Sequence, residues 1–226
     1  MKKIIAVIII VYIVVLSFFL IGFGKPNNAN ENIANLVERV NIPNTITAVY
    51  LETRVYDTIF EVILFSLAAV GVNFILKEEK VHSLKKQTLI ATSHVYSIFL
   101  SATSISLFLY IVLYGHLSPG GGFGGGVVLA SGIVLYAISA NYNKTNKVIN
   151  KYRIEDISNL SLLIIITIMM YSVLFGDFLG QVSRNQEFGS LFSGALIPLL
   201  NLLIGFKVFA GSWKMSNDFI KRRGTL

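Results

Sequence analysis

Six stretches of about 20 residues with almost no charge recur along this chain, at roughly 4–23, 58–76, 88–114, 124–140, 157–176 and 191–213. A helix of that length crosses the hydrocarbon of a bilayer. Inside lipid every backbone N–H and C=O must be bonded internally, which a helix does by itself. The expected fold is therefore an all-α membrane protein with six transmembrane helices, multi-pass in the cell membrane. Composition agrees: 54% of residues are hydrophobic and only 14% charged, against about a quarter charged in soluble domains. Mean hydropathy is +0.69.

Charge placement orients these spans. Lys2 and Lys3, then Lys77, Lys80, Lys85 and Lys86, then Lys144, Lys147, Lys151 and Arg153, then Lys214, Lys221, Arg222 and Arg223 all fall on one side. The other side holds only Lys25, Arg39, Arg54 and Arg184. By the positive-inside rule both termini are expected in the cytoplasm. The net charge of +7 follows from these loops and implies contact with anionic lipid headgroups. No aromatic-interleaved basic patch of the nucleic-acid kind is present. The chain has no cysteine, which removes disulfides, cysteine-ligated zinc and cysteine-ligated iron–sulfur clusters. The first run follows Lys2-Lys3 as a signal peptide would. It is too long for a typical h-region and lacks an A-x-A-like site, so it reads as a helix.

Between the third and fourth runs stands Gly115-His116-Leu117-Ser118-Pro119-Gly120-Gly121-Gly122-Phe123-Gly124-Gly125-Gly126, with seven of the chain's 18 glycines. Pro119 cannot continue a helix, and glycine lets another chain approach closely. Irregular backbone at a membrane boundary survives only against protein or water, so this break is a site candidate. A phosphate-binding loop is excluded: no strand precedes it and no Lys-Ser/Thr follows.

Charged groups inside spans are the other candidates. Asp57 and Glu61 are four residues apart and share one helix face. Such a pair suits a shared proton or a transient sodium ion; a helix-start cap explains Asp57 more easily than Glu61. His94 shares a stripe with Ser97, Ser101 and Ser104, which suits helix packing. An imidazole there also suits proton relay, since the group exchanges protons near neutrality. Lys207 either snorkels to the interface or is a buried proton carrier. His116 stands at the mouth of the glycine segment, as an anchor or as part of an aqueous path.

The pattern Gly115-His116-x-Ser118-Pro119-Gly120-Gly121-Gly122-Phe123-x-Gly125-Gly126 resembles the signature of MnhB/MrpB subunits of multisubunit Mrp-type Na+/H+ antiporters. Gly189-x-Leu191-x-Ser193-Gly194-x-x-x-Pro198 and Gly205-x-Lys207-Val208-x-x-Gly211 are similar to that subunit's last span. Thr47-Ala48-Val49-x-Leu51-Glu52-x-Arg54-x-Tyr56-Asp57-Thr58-x-x-Glu61 is similar to the C-terminal part of MrpA and to MbhE of membrane-bound hydrogenases. It departs from that pattern at Glu52, Val55 and Phe60. The resemblance implies two units: residues 1–80, MbhE-like with two spans and a long outer segment, and residues 81–226, MnhB/MrpB-like with four.

It also implies a subunit of a sodium/proton exchange module that contributes to an ion pathway. Asp57, Glu61 and His116 would form its outer mouth, with Lys207 and His94 nearer the inner side. The implied partners are other Mrp-type subunits, with or without hydrogenase or ferredoxin-oxidising subunits. No cofactor, catalytic centre or permanent metal is expected in this chain. A purely structural subunit of a redox-driven pump is the alternative.

Overall fold

A computed structural model describes residues 35, 37–38, 42–49, 55–77, 91–175 and 196–223. The expected first span, 4–23, lies outside them, as do Glu52, Arg54 and the 189–195 part of the last motif. Every regular element among the described residues is helical: α1 (Thr45–Ala48), α2 (Val55–Leu76), α3 (Ala91–Leu113), α4 (Gly122–Tyr136), α5 (Tyr142–Lys151), α6 (Ile154–Phe175) and α7 (Leu196–Arg223). Five are long and apolar enough to cross a membrane: Asp57–Leu76, Ser93–Leu113, Gly122–Ala140, Ile154–Tyr171 and Leu196–Arg222.

The chain is organised around α7, which separates two clusters. On one side Ile197, Leu200, Ile204 and Val208 pack with Ile59 and Val62 of α2 and Ile165, Ile166, Met169 and Met170 of α6. On the other, Phe209 and Trp213 meet Phe108 and Val112 of α3, Leu129 and Ala130 of α4 and Ile149 of α5. Lipid tails are as apolar as these side chains, so close packing rather than water exclusion holds spanning helices together. Small residues provide it. A methyl at Gly126 of α4 would overlap the Gly205 carbonyl of α7 and come within 2.7 Å of Val208 Cβ. A methyl at Gly132 would strike the Ser104 side chain of α3.

Two elements differ from the sequence reading. The basic loop after the fourth span is α5, joined to α4 by one π turn, Ala137–Asn141. Its Thr145 and Ile149, four apart, are buried, while its lysines face outward, as in an interfacial amphipathic helix. The last helix does not end near residue 213 but runs unbroken to Arg223. Pro198 sits in its first turn, where a missing N–H costs no helical bond.

Candidate functional site

The glycine segment contains the helix break, though a shorter one than the motif suggests. Helix α3 ends at Leu113 and α4 begins at Gly122, so Phe123 to Gly126 are already helical. Gly121 caps α4 with φ of 148°, a conformation that residues with a side chain rarely adopt. The turn between leaves carbonyls without helical partners, and a segment some 70 residues earlier satisfies them. Asn44 Nδ2 donates to Gly115 O at 2.8 Å and to Ser118 O at 2.7 Å. Thr47 Oγ1 donates to Gly115 O at 2.7 Å, and Asn44 N donates to His116 O at 3.1 Å. The same Asn44 caps α1 by accepting from Ile46 N and Thr47 N. His116, fully buried, lies under this clamp.

Beside the turn is a cavity of about 200 Å³, lined by Thr58 and Glu61 of α2, the Gly120–Gly124 backbone with Phe123, and Asn201 and Ile204 of α7. Thr58 and Asn201 are buried, whereas Glu61 is exposed and forms the cavity rim. The wall is glycine because α7 leaves no room for more. A methyl at Gly122 would come within 2.5 Å of the Asn201 carbonyl and 2.7 Å of Ile204 Cβ. Asn201 Oδ1 also accepts from Gly122 N at 3.3 Å, which ties the start of α4 to α7.

Lys207 lies three residues past Ile204, about 5 Å further along α7. Snorkelling, the simpler expectation for this lysine, is not what the structure shows. Lys207 is 7% exposed and its Nζ donates to Asn159 Oδ1 of α6 at 3.3 Å. Beyond it the polar residues of α7 find partners on three other helices. Lys214 pairs with Glu155 of α6, Asn217 Oδ1 accepts from Tyr142 of α5 at 2.5 Å, and Asp218 Oδ2 accepts from Asn73 of α2 at 2.6 Å. Burial, then the nearby Asp218 charge, pushes the Tyr142 hydroxyl up to about 12.

The expected site residues therefore divide. Glu61, Gly120, Gly121, Gly122 and Phe123 share the cavity. Asp57, the third residue of α2 rather than its cap, is exposed in the first turn. Gly115, His116 and Ser118 belong to the clamped turn, and Gly125 packs against Val112 of α3. His94 is near the start of α3, about 28 Å of helix from Leu113. The serines on its stripe bond locally, Ser97 to His94 O, Ser101 to Ile98 O and Ser104 to Leu100 O. Asn44, Thr47, Asn159, Asn201, Glu155 and Asp218 are not among the site residues that the sequence points to.

A bundle of apolar spanning helices, here with a glycine-walled cavity and a buried lysine, defines a multi-pass membrane protein. Residues 92–214, more than half of the chain, match the model of the domain related to the MnhB subunit of Na+/H+ antiporter, and the chain belongs to that family. It is a membrane subunit of an ion-translocating complex. An uncharacterised protein of Methanocaldococcus jannaschii is 26% identical over 197 residues, covering 75% of this chain and 74% of that protein. The fold matches a chain in the structure of the membrane-bound sulfane sulfur reductase, an archaeal respiratory membrane complex. The TM-score is 0.69 at 23% identity, over 98% of this chain and 99% of that one.

Proposed function

We propose that this chain supplies part of an ion pathway in a sodium/proton exchange module, with Glu61 at its entry. The observation that carries this reading is the cavity, which Glu61 of α2 and Asn201 of α7 both line at the glycine-walled start of α4. Asn201 is buried there, and Lys207 with Asn159 lies roughly two turns further along α7. A carboxylate, an amide and a buried ammonium at successive depths are groups that hand on a proton or briefly hold a sodium ion. The cation bias of the loops supports an orientation with the glycine turn outside and Lys214, Asp218 and both termini on the cytoplasmic side. Asp57 in the first turn adds negative potential at the mouth. The N-terminal part, through α2, acts in this reading as an MbhE-like unit that brings the acid to the MnhB-like unit.

The test is Glu61→Gln in membrane vesicles containing the assembled complex. Na+-dependent proton exchange falls sharply while the complex still assembles; unchanged exchange removes Glu61 from the pathway. The likeness to a chain of a respiratory complex favours a second setting, in which the module is joined to a redox arm. The subunit composition of the purified complex decides between a free antiporter and a redox-driven pump.

A further inference from the structure

Helix α2 has two dissimilar faces. Val62, Ala69 and Leu76 are buried against the rest of the chain. On the opposite face Phe60, Leu64, Leu67 and Phe74 are 62–75% exposed, and Gly71 has nothing within 4 Å of where a side chain would begin. These five positions are spaced four, three, four and three. That is the repeat of a left-handed helix-pair seam, with large residues at the knob positions and a small one where backbones close up. Glu61 stands directly beside this seam, between Phe60 and Leu64, at the position from which seam-flanking side chains bond across to a partner helix. It is exposed, six residues or about 9 Å into the helix, with no charged residue in the 15 that follow. A carboxylate at that depth is held by a hydrogen-bond donor rather than by acyl chains.

We propose that this face of α2 docks a transmembrane helix of another subunit, and that this helix presents a donor side chain, basic or amide, to Glu61. The partner helix would then close the cavity that Glu61 rims, so the site is completed only in the assembly. Two other occupants fail on chemistry. A second copy of α2 brings another Glu61 and contains no lysine, arginine or histidine; its one amide, Asn73, is engaged with Asp218. The apolar run at 4–23 offers only the hydroxyls of Tyr12 and Ser17. The proposal holds whether or not Glu61 carries an ion.

The experiment places the photo-crosslinking residue p-benzoylphenylalanine at position 60, 64 or 67 in turn. The purified complex is irradiated and the adducts are mapped by mass spectrometry. The expected result is adducts at two or more of the three positions with a single spanning segment of another subunit, with Lys, Arg, His, Asn or Gln within one turn of the adduct. Adducts only to lipid, to residues 4–23, to a second copy of this chain, or to a segment without a donor overturn the proposal. Since the readout is contact rather than transport, it fails or succeeds separately from the Glu61→Gln exchange assay.

Discussion

The ammonium of Lys207 on α7 donates to the side-chain oxygen of Asn159 on α6 across 3.3 Å, and the lysine is 7% exposed. A buried charge held by a neutral amide acceptor is held at a cost. Removing that acceptor strands the charge, whereas removing the charge relieves it.

Asn159→Leu is accordingly expected to destabilise the subunit by about 1–3 kcal/mol. Lys207→Met, which keeps the apolar stem, is expected to be neutral or stabilising for the fold. The double variant should be more stable than Asn159→Leu alone. Thermal melting of the purified complex in detergent, arranged as a double-mutant cycle, measures this coupling. Additive effects would mean that the pair does not interact.

Two glycines of α4 should respond in opposite ways to the same change. Gly126→Ala forces a methyl into the Gly205 carbonyl and Val208, and separation of α4 from α7 should cost about 1–3 kcal/mol. Gly124→Ala meets nothing within 4 Å and should be neutral or stabilising by up to about 1 kcal/mol, since alanine is the better helix former. Melting temperatures of the two variants, side by side, separate packing from helix propensity.

Asn44→Ala removes two side-chain bonds to the glycine turn and the cap of α1, an expected loss of about 2–4 kcal/mol at roughly 1 kcal/mol per bond. Asn44→Asp should be worse at neutral pH, because it keeps the cap but sets a carboxylate against the Gly115 and Ser118 carbonyls. Hydrogen exchange over Tyr114–Gly121 reads the effect locally. Protection equal to that of the unaltered protein in both variants would show that the clamp is dispensable.

Tyr142 gives an alkaline prediction. Its hydroxyl, held neutral by burial and by Asp218, loses its proton near 12 in the folded protein and at an ordinary phenol value near 10 when unfolded. An acid whose folded value is raised contributes stability below the unfolded value and loses it as pH rises toward the folded one. Stability should decline between about pH 10 and pH 12, and Tyr142→Phe should flatten that slope. Melting temperature against pH for the two proteins is the measurement.

The five spans among the described residues were legible because an uncharged run of about 20 residues has few alternatives. The break at Pro119 and the close packing of the glycine segment were legible for similar reasons: proline stops a helix, and a string of glycines marks a place where backbones meet. What escaped the sequence depends on distant partners. Lys214, Asn217 and Asp218 look like the end of a membrane run until Glu155, Tyr142 and Asn73 arrive from three other helices to satisfy them. Asn44 in an Asn-Ile-Pro-Asn-Thr stretch reads as an ordinary turn, and only the fold brings it to Gly115. Helix α5 was hidden by its lysines, although Thr145 and Ile149 already had helical spacing. Asn159, one amide in an otherwise apolar run, gained meaning only from the lysine opposite.

The clamp on the glycine turn bears on how such subunits are inherited. Three carbonyls, of Gly115, His116 and Ser118, are satisfied by donors from Asn44 and Thr47. A polypeptide that began after these residues would carry the same turn with its oxygens bare at the membrane boundary. It would have to meet them with water or with donors from another protein. The Asn44–Thr47 segment and the glycine turn are therefore bound by a debt of hydrogen bonds, which a break between them would pass to water or to donors from elsewhere.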